Sequence, residues 1–349
     1  AIISTVDSLL RLALAVIITK ISIDHLVFYS IGLLVESGVV SLLYIWKGGK
    51  YEECHYTKTK DKILYQHLLQ FSGWTMFGSL ANMGMNQGNT ILINLFFGPI
   101  SNMAFAIAMQ ISNAFNALSN SMVLSFRPAM IRSYAESNHY YVNELFYISN
   151  KFIFYLLICI AIPIIAEMDC ILKIWLGTAN EETILFSRLI IIYIVISAIS
   201  NPITIIMQAS GHVKEYHFPV ESITLCTLPL TWILFKLHFP SYTVFIAMIS
   251  TCVIAHIVRL ICLRHYYQPF DYIYYVRDFL LPAIGITTLA IGCTFFLKKN
   301  IINLSICFIL IFLIIPSLVL LTAYNIGISK NEKVLLKRFI TSFLSKKHV

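Results

Sequence analysis

The side chains in this sequence that could do chemistry lie inside long apolar blocks. Ser72, Ser79, Asn82, Asn86 and Thr90 recur at helical spacing through one block. At 100° per residue they fall within about 80° of arc. The next block repeats the pattern with Asn113, Asn116, Asn120 and Arg127 inside about 60°. A third carries Ser197, Asn201, Thr204 and Gln208 on one face, with Pro202 interrupting the backbone ladder and marking a hinge. Amides and hydroxyls bind by hydrogen bonds and break no covalent bond. Placing them in hydrocarbon is costly, so they must face protein or water. They either glue helices together, with Gly78, Gly84 and Gly88 allowing close approach, or line a wet cavity. The length of the two stripes favours the cavity.

Charged residues narrow the cargo. Arg11 follows Asp7 by one helical turn, a spacing that permits an ion pair. Arg127 and Arg188 lie near the ends of their blocks, where a long side chain reaches the interface. Facing a cavity, Arg11, Arg127 and Arg188 select an anion, because the planar guanidinium donates two hydrogen bonds at once to a phosphate. Glu36, Glu221 and His256 are candidates for proton or cation coupling, or for structural pairing.

No catalytic constellation accompanies them. HExxH, GxSxG, GxGxxG and the phosphate-cradling P-loop are all missing from the sequence, so it gives no reason to expect an enzyme, a cofactor, a metal or intrinsic ATP hydrolysis. The eight cysteines form no CxxC pair and read as small apolar fillers.

The elements that must position these groups are membrane spans. Of 349 residues 58% are apolar and 12% charged, with mean hydropathy +0.79. A soluble chain would carry about twice that charged fraction. A span needs about 20 apolar residues, and uninterrupted blocks exclude a β-barrel. The expected fold is all-α, a polytopic transmembrane helical bundle. Ten spans are predicted near 1–19, 25–46, 67–97, 101–131, 146–176, 183–211, 216–238, 240–266, 276–297 and 300–325. No stretch between them is long enough to form a soluble domain. The chain opens directly on an apolar block at Ala1, which predicts that an amino-terminal portion is missing.

Ten spans gather most of the 25 Lys and Arg residues, Arg127, Lys151, Arg259 and Arg277 among them, on one side. The positive-inside rule makes that side cytoplasmic, and both visible ends with it. The net charge of +8 is then topological, and nucleic acid is not a partner. The tail 326–349 places Leu335, Leu336, Phe339, Ile340 and Phe343 on one helical face, which predicts a helix lying on the anionic leaflet.

Four blocks of sequence also resemble a known family. They are the run from Gly88 to Pro99, the segment from Arg127 to Ala135, the stretch from Ile171 to Gly177, and Asn201-Pro202 followed by the run from Gln208 to Lys214. Together they look like bacterial O-antigen and capsule repeat-unit flippases, the polysaccharide transporter branch of the superfamily that includes multidrug and toxin extruders. Similar sequences often carry Arg at Phe105 and Asn at Arg127, so the chain departs from the pattern there.

The resemblance implies a multidrug-extruder-like fold of about 14 spans, amino-terminally truncated here. Residues 1–46 would end a first lobe, 47–66 link the lobes, 67–266 form a second six-helix lobe, 267–325 add two spans, and 326–349 form a basic cytoplasmic tail. It further implies a protein of the bacterial inner membrane that moves polyprenyl-pyrophosphate-linked oligosaccharides between leaflets by alternating access. A polysaccharide polymerase and a chain-length regulator would be its partners. A cation-coupled drug exporter of the same fold is the alternative.

Overall fold

The computed structural model describes residues 2–18, 25–50, 61–177, 180–301, 304–329 and 332–333. Residues 51–60 of the 47–66 linker and most of the tail 326–349, including the predicted surface-helix residues Leu335 to Phe343, lie outside that description. The described residues form helices and contain no strand. Among the described residues eight stretches are long and apolar enough to cross a membrane. Large apolar side chains such as Leu34, Leu95 and Ile273 are exposed along them, as a multi-pass membrane protein requires, because lipid is their solvent.

The chain divides into two compact units, 1–65 and 66–349. The first pairs α1 (Ile2–Ile18) with α2 (His25–Gly48). Its polar contact joins Arg11 to Asp7 at 3.1 Å and to the buried Glu36 at 3.5 Å. The spacing of Asp7 and Arg11 predicts the first of these pairs.

The second unit begins within α3 (Lys62–Ala135), a run of 74 residues broken at Gly98, where φ is +81°. Only glycine adopts that conformation without strain, and Pro99 removes the next backbone donor. The break falls where the sequence separates spans 67–97 and 101–131. After α3 come α4 (His139–Ala166) and the short α5 (Met168–Leu176). The predicted span 146–176 is corrected here. Asn138 accepts a hydrogen bond from the Tyr141 amide and starts the helix seven residues earlier, and Glu167 ends it ten residues sooner.

The remaining elements are α6 (Glu181–Ala198), α7 (Asn201–Ala209), α8 (Val213–Leu225), α9 (Thr227–Lys236), α10 (Thr243–Tyr266), α11 (Tyr272–Tyr275), a π-helical turn (Val276–Leu280), α12 (Leu281–Asn300), α13 (Leu304–Thr322) and a second π turn (Ala323–Gly327). The ten-span count and the eight candidate stretches differ in two places. α1 has only 17 residues, and α3 runs without a connecting loop.

Two apolar cores share α4. Phe154, Ile158 and Ile162 face α7, α12 and α13, whereas Ile153, Leu157 and Ala161 face Phe105, Phe186, Ile190 and Phe245. Phe105, where similar sequences often carry Arg, is a packing residue 5.6 Å from Phe245, ring centre to ring centre. Near the middle of α4 the buried Lys151 bonds Asp278 of the π turn at 2.5 Å and Glu332 at 2.9 Å. Glu332 also accepts the Ser329 amide at 2.6 Å while its own amide donates to the Ser329 hydroxyl, the reciprocal pattern of a capping box.

Candidate functional site: a polar cavity in the membrane bundle

The polar side chains of α3, α6, α7, α8 and α10 converge on a cavity of about 270 Å³ in the second unit. Asn82 and Asn86 of α3 line it one helical turn apart, and Asn116 joins them from the segment beyond Gly98, its amide donating to Ser112 at 3.3 Å. Ser197, Ser200, Asn201 and Thr204 enter from the break between α6 and α7. Pro202 sits in the first turn of α7, where its missing N–H costs no helical hydrogen bond, so it is accommodated at the step between α6 and α7. Asn201 donates to the Ser119 hydroxyl at 3.2 Å, and Thr204 shares a proton with the Tyr216 hydroxyl at 2.6 Å.

Two charged groups face this space from different helices. Glu221 of α8 is 5% exposed and accepts from Asn82 at 3.3 Å, with His217 Nδ1 at 3.4 Å. Glycine at position 78 makes room for them, because a Cβ there would lie 2.9 Å from His217 Nδ1 and 3.4 Å from a Glu221 oxygen. Gly78→Ala is expected to displace His217 and lower stability by about 1 to 3 kcal/mol. Thermal unfolding in detergent checks this, with Gly73→Ala, which meets open space, as the neutral control.

Arg259 of α10 is the other. Its Nη1 donates to the Ser200 hydroxyl at 3.2 Å, and its Nε is buried with no partner. Among the described residues no carboxylate lies within ion-pair distance of it; the second charge of the cavity, Glu221, acts on it only through space. A guanidinium inside a membrane bundle without a contacting counter-ion is costly, and such groups mark ion or substrate paths.

The sequence-predicted residues divide into three sets. Asn82, Asn86 and Asn116 come together in the cavity with Asn201, Ser197 and Thr204. Asn113 faces a second hollow of about 360 Å³ with Gln87, Thr90 and Gln110, and Asn86 lines both. Asn120 is exposed and lines neither. None of the three predicted arginines lines the cavity. Arg127 donates to Gln208 at 2.9 Å near the end of α3. Arg188 donates to Asp169 at 2.7 Å and to the Ile165 carbonyl at 3.1 Å, closing the α4–α5–α6 turn. Arg11 belongs to the first unit and is held by Asp7 and Glu36. Arg11 and Arg188 are thus paired with carboxylates, and Arg127 has a neutral amide partner on the exposed side of the bundle.

In the sequence both Arg259 and Lys151 read as part of the basic collar. For Arg259 a signal exists: Thr251, Ala255 and Arg259 are spaced by four and share a helical face. No metal-ligating group of three or more His, Cys, Asp or Glu occurs among the described residues. Compared with known protein families, curated proteins and solved structures, the chain matches none, so the family resemblance rests on its four sequence blocks alone.

Proposed function

We propose that this protein is a membrane carrier for a lipid-linked saccharide, with Arg259 receiving the pyrophosphate and the amides and hydroxyls of the cavity receiving the sugars. One observation carries the proposal: a polar cavity holding an arginine with no carboxylate contact, inside a bundle whose outer surface is apolar. A saccharide offers many hydroxyls, each both donor and acceptor. Asn, Ser, Thr and Tyr match them, and Arg matches a diphosphate. The isoprenoid would stay in the bilayer while the head group passes through the cavity. In this reading the chain is part of a longer, two-lobed flippase of the bacterial inner membrane working by alternating access, with a polysaccharide polymerase and chain-length regulator downstream.

The deciding experiment is carried out in cells. Loss of the full-length protein is expected to leave lipid-linked repeat units on the cytoplasmic leaflet, measured by their accessibility to an enzyme added to right-side-out and inverted vesicles. An unchanged distribution overturns the proposal.

Glu221 favours a second reading. A buried carboxylate between Asn82 and His217 is suited to a cation or a proton, as a cation-coupled exporter of organic cations requires. Export of a cationic dye that is lost in Glu221→Gln but kept in Arg259→Ala would favour the exporter over the flippase.

A further inference from the structure

Behind Arg259 lies a file of buried polar groups that leaves the cavity and ends in the carboxy-terminal helices. Ser200 accepts from Arg259 Nη1 at 3.2 Å and sits 3.0 Å from His256 Nδ1. His256 Nε2 in turn lies 3.3 Å from the Tyr275 hydroxyl. Ser200 and Tyr275 are 4% and 1% exposed and His256 is half-buried, so water has limited access to these contacts. We propose that His256 and Tyr275 are positioning residues of the cavity's anion site, acting through Ser200 to aim the Arg259 guanidinium. The inference rests on the anion-site reading above and adds the groups that orient it.

The placement of protons supports a directed file. Arg259 has donors only, so the contact with Ser200 occupies an oxygen lone pair and leaves the serine proton free. The nearest acceptor for that proton is His256 Nδ1. A neutral imidazole that accepts at Nδ1 carries its own proton at Nε2, which points it to the Tyr275 oxygen. Each group thus fixes the orientation of the next, and the tautomer of His256 follows from the charge of Arg259.

The backbone explains why such a file is needed. Ser200 sits in a tightened helical turn between α6 and α7, where its amide bonds Ser197 rather than a residue four back. Its side-chain hydroxyl is left to partners on other helices to orient. His256 and Arg259 are three positions apart on α10 and therefore side by side, so one serine oxygen reaches both. An arginine held by the hydroxyls of Ser200 and Tyr216 still has its Nε free for a ligand, and a fixed guanidinium loses less freedom when an anion arrives. Tyr275 supplies the far anchor. It lies in the first core among Phe146, Phe270 and Phe279, and the π turn that follows it holds Asp278, the partner of Lys151.

The test uses the full-length protein in detergent and inorganic pyrophosphate as the probe, with affinity read by calorimetry. His256→Phe is expected to weaken binding by about tenfold, and Tyr275→Phe by about threefold, both within the coupling seen between hydrogen-bonded neighbours. His256→Asn, whose amide oxygen can take the serine proton in place of Nδ1, is expected to bind within about twofold of the parent. In a Ser200→Ala background, His256→Phe is expected to add less than about twofold, because the route to Arg259 is already cut. A residue that merely supports the fold would give additive losses and no rescue by asparagine, and either result overturns the inference. If the parent binds pyrophosphate and Arg259→Ala weakens binding strongly while the His256 and Tyr275 variants bind normally, the positioning role falls and the anion site stands. If the parent does not bind pyrophosphate at all, the anion site itself falls. Should His256→Phe fail to fold, Tyr275→Phe and His256→Asn distinguish the same outcomes.

Discussion

Arg259→Ala is expected to weaken pyrophosphate binding by about 30-fold, because a charge-assisted hydrogen bond contributes about 2 kcal/mol and each 1.4 kcal/mol is a factor of ten. The physical reason is where the charge sits. Arg127, Arg188 and Arg11 each have a side-chain partner within about 3 Å and nothing to gain from a ligand in the cavity. Among the described residues Arg259 has only neutral hydroxyl partners, Ser200 and Tyr216, and a partnerless Nε. Removing its charge leaves Glu221 as the only carboxylate lining the cavity, so an anion meets repulsion where it had an attractor. Arg259→Lys is expected to recover at most about a third of the loss, since an ammonium keeps the charge but not the two parallel donors. Arg127→Ala and Arg188→Ala are expected to bind within about twofold of the parent, as partnered surface charges usually do. A large loss in either of those, with none in Arg259→Ala, would move the anion site out of the cavity.

The contrast among the arginines shows what the sequence could and could not reveal. Spans are legible because a block of some 20 apolar residues admits one low-cost structure in lipid. The breaks at Gly98-Pro99 and before Pro202 are legible because the residue types that cause them act locally. Asn82, Asn86 and Asn116 are legible as cavity residues because a helix converts spacing into direction. Asp7 with Arg11 is legible for the same reason.

Pairings between helices carry no such local sign. Asp169 reaches Arg188 across a turn of 19 residues, and Gln208 reaches Arg127 across 81. Spacing along one helix gives no information about either. Proximity to the end of a span likewise says little about whether an arginine turns inward. Arg259 and Arg127 occupy similar positions near a helix end, and the first lines the cavity while the second meets Gln208. The neighbours one and two turns back separate them: Thr251 and Ala255 precede Arg259 on the cavity face.

The same limit hid Lys151, where the second large effect is expected. Lys151 is 2% exposed and sits between Asp278 and Glu332, which come from residues 127 and 181 positions away. Lys151→Met keeps the bulk of the side chain but leaves two carboxylates facing each other, Glu332 buried and Asp278 27% exposed. Breaking a fully buried pair costs about 3 to 5 kcal/mol, because desolvated charge is left without compensation, and the partial exposure of Asp278 brings the expected cost to the lower end of that range. The expected result is a large fall in the apparent unfolding midpoint of the detergent-solubilised protein. Neutralising the acids as well, in Lys151→Met/Asp278→Asn/Glu332→Gln, is expected to bring stability back to within about 1 kcal/mol of the parent, since a buried ion pair adds little over a well-packed neutral replacement. That recovery separates an electrostatic penalty from a packing defect, which the two further substitutions would deepen. It also bears on the second π turn. Gly327 lies where a Cβ would meet the Tyr155 hydroxyl at 2.6 Å, so the backbone there is pressed against α4 one turn beyond Lys151. The close approach holds the end of α13 near Lys151, and the lysine fixes which carboxylates it meets. If Lys151→Met melts with the parent, the triad is not what joins the carboxy-terminal helices to α4, and the apolar contacts of α13 with α4 hold that junction alone.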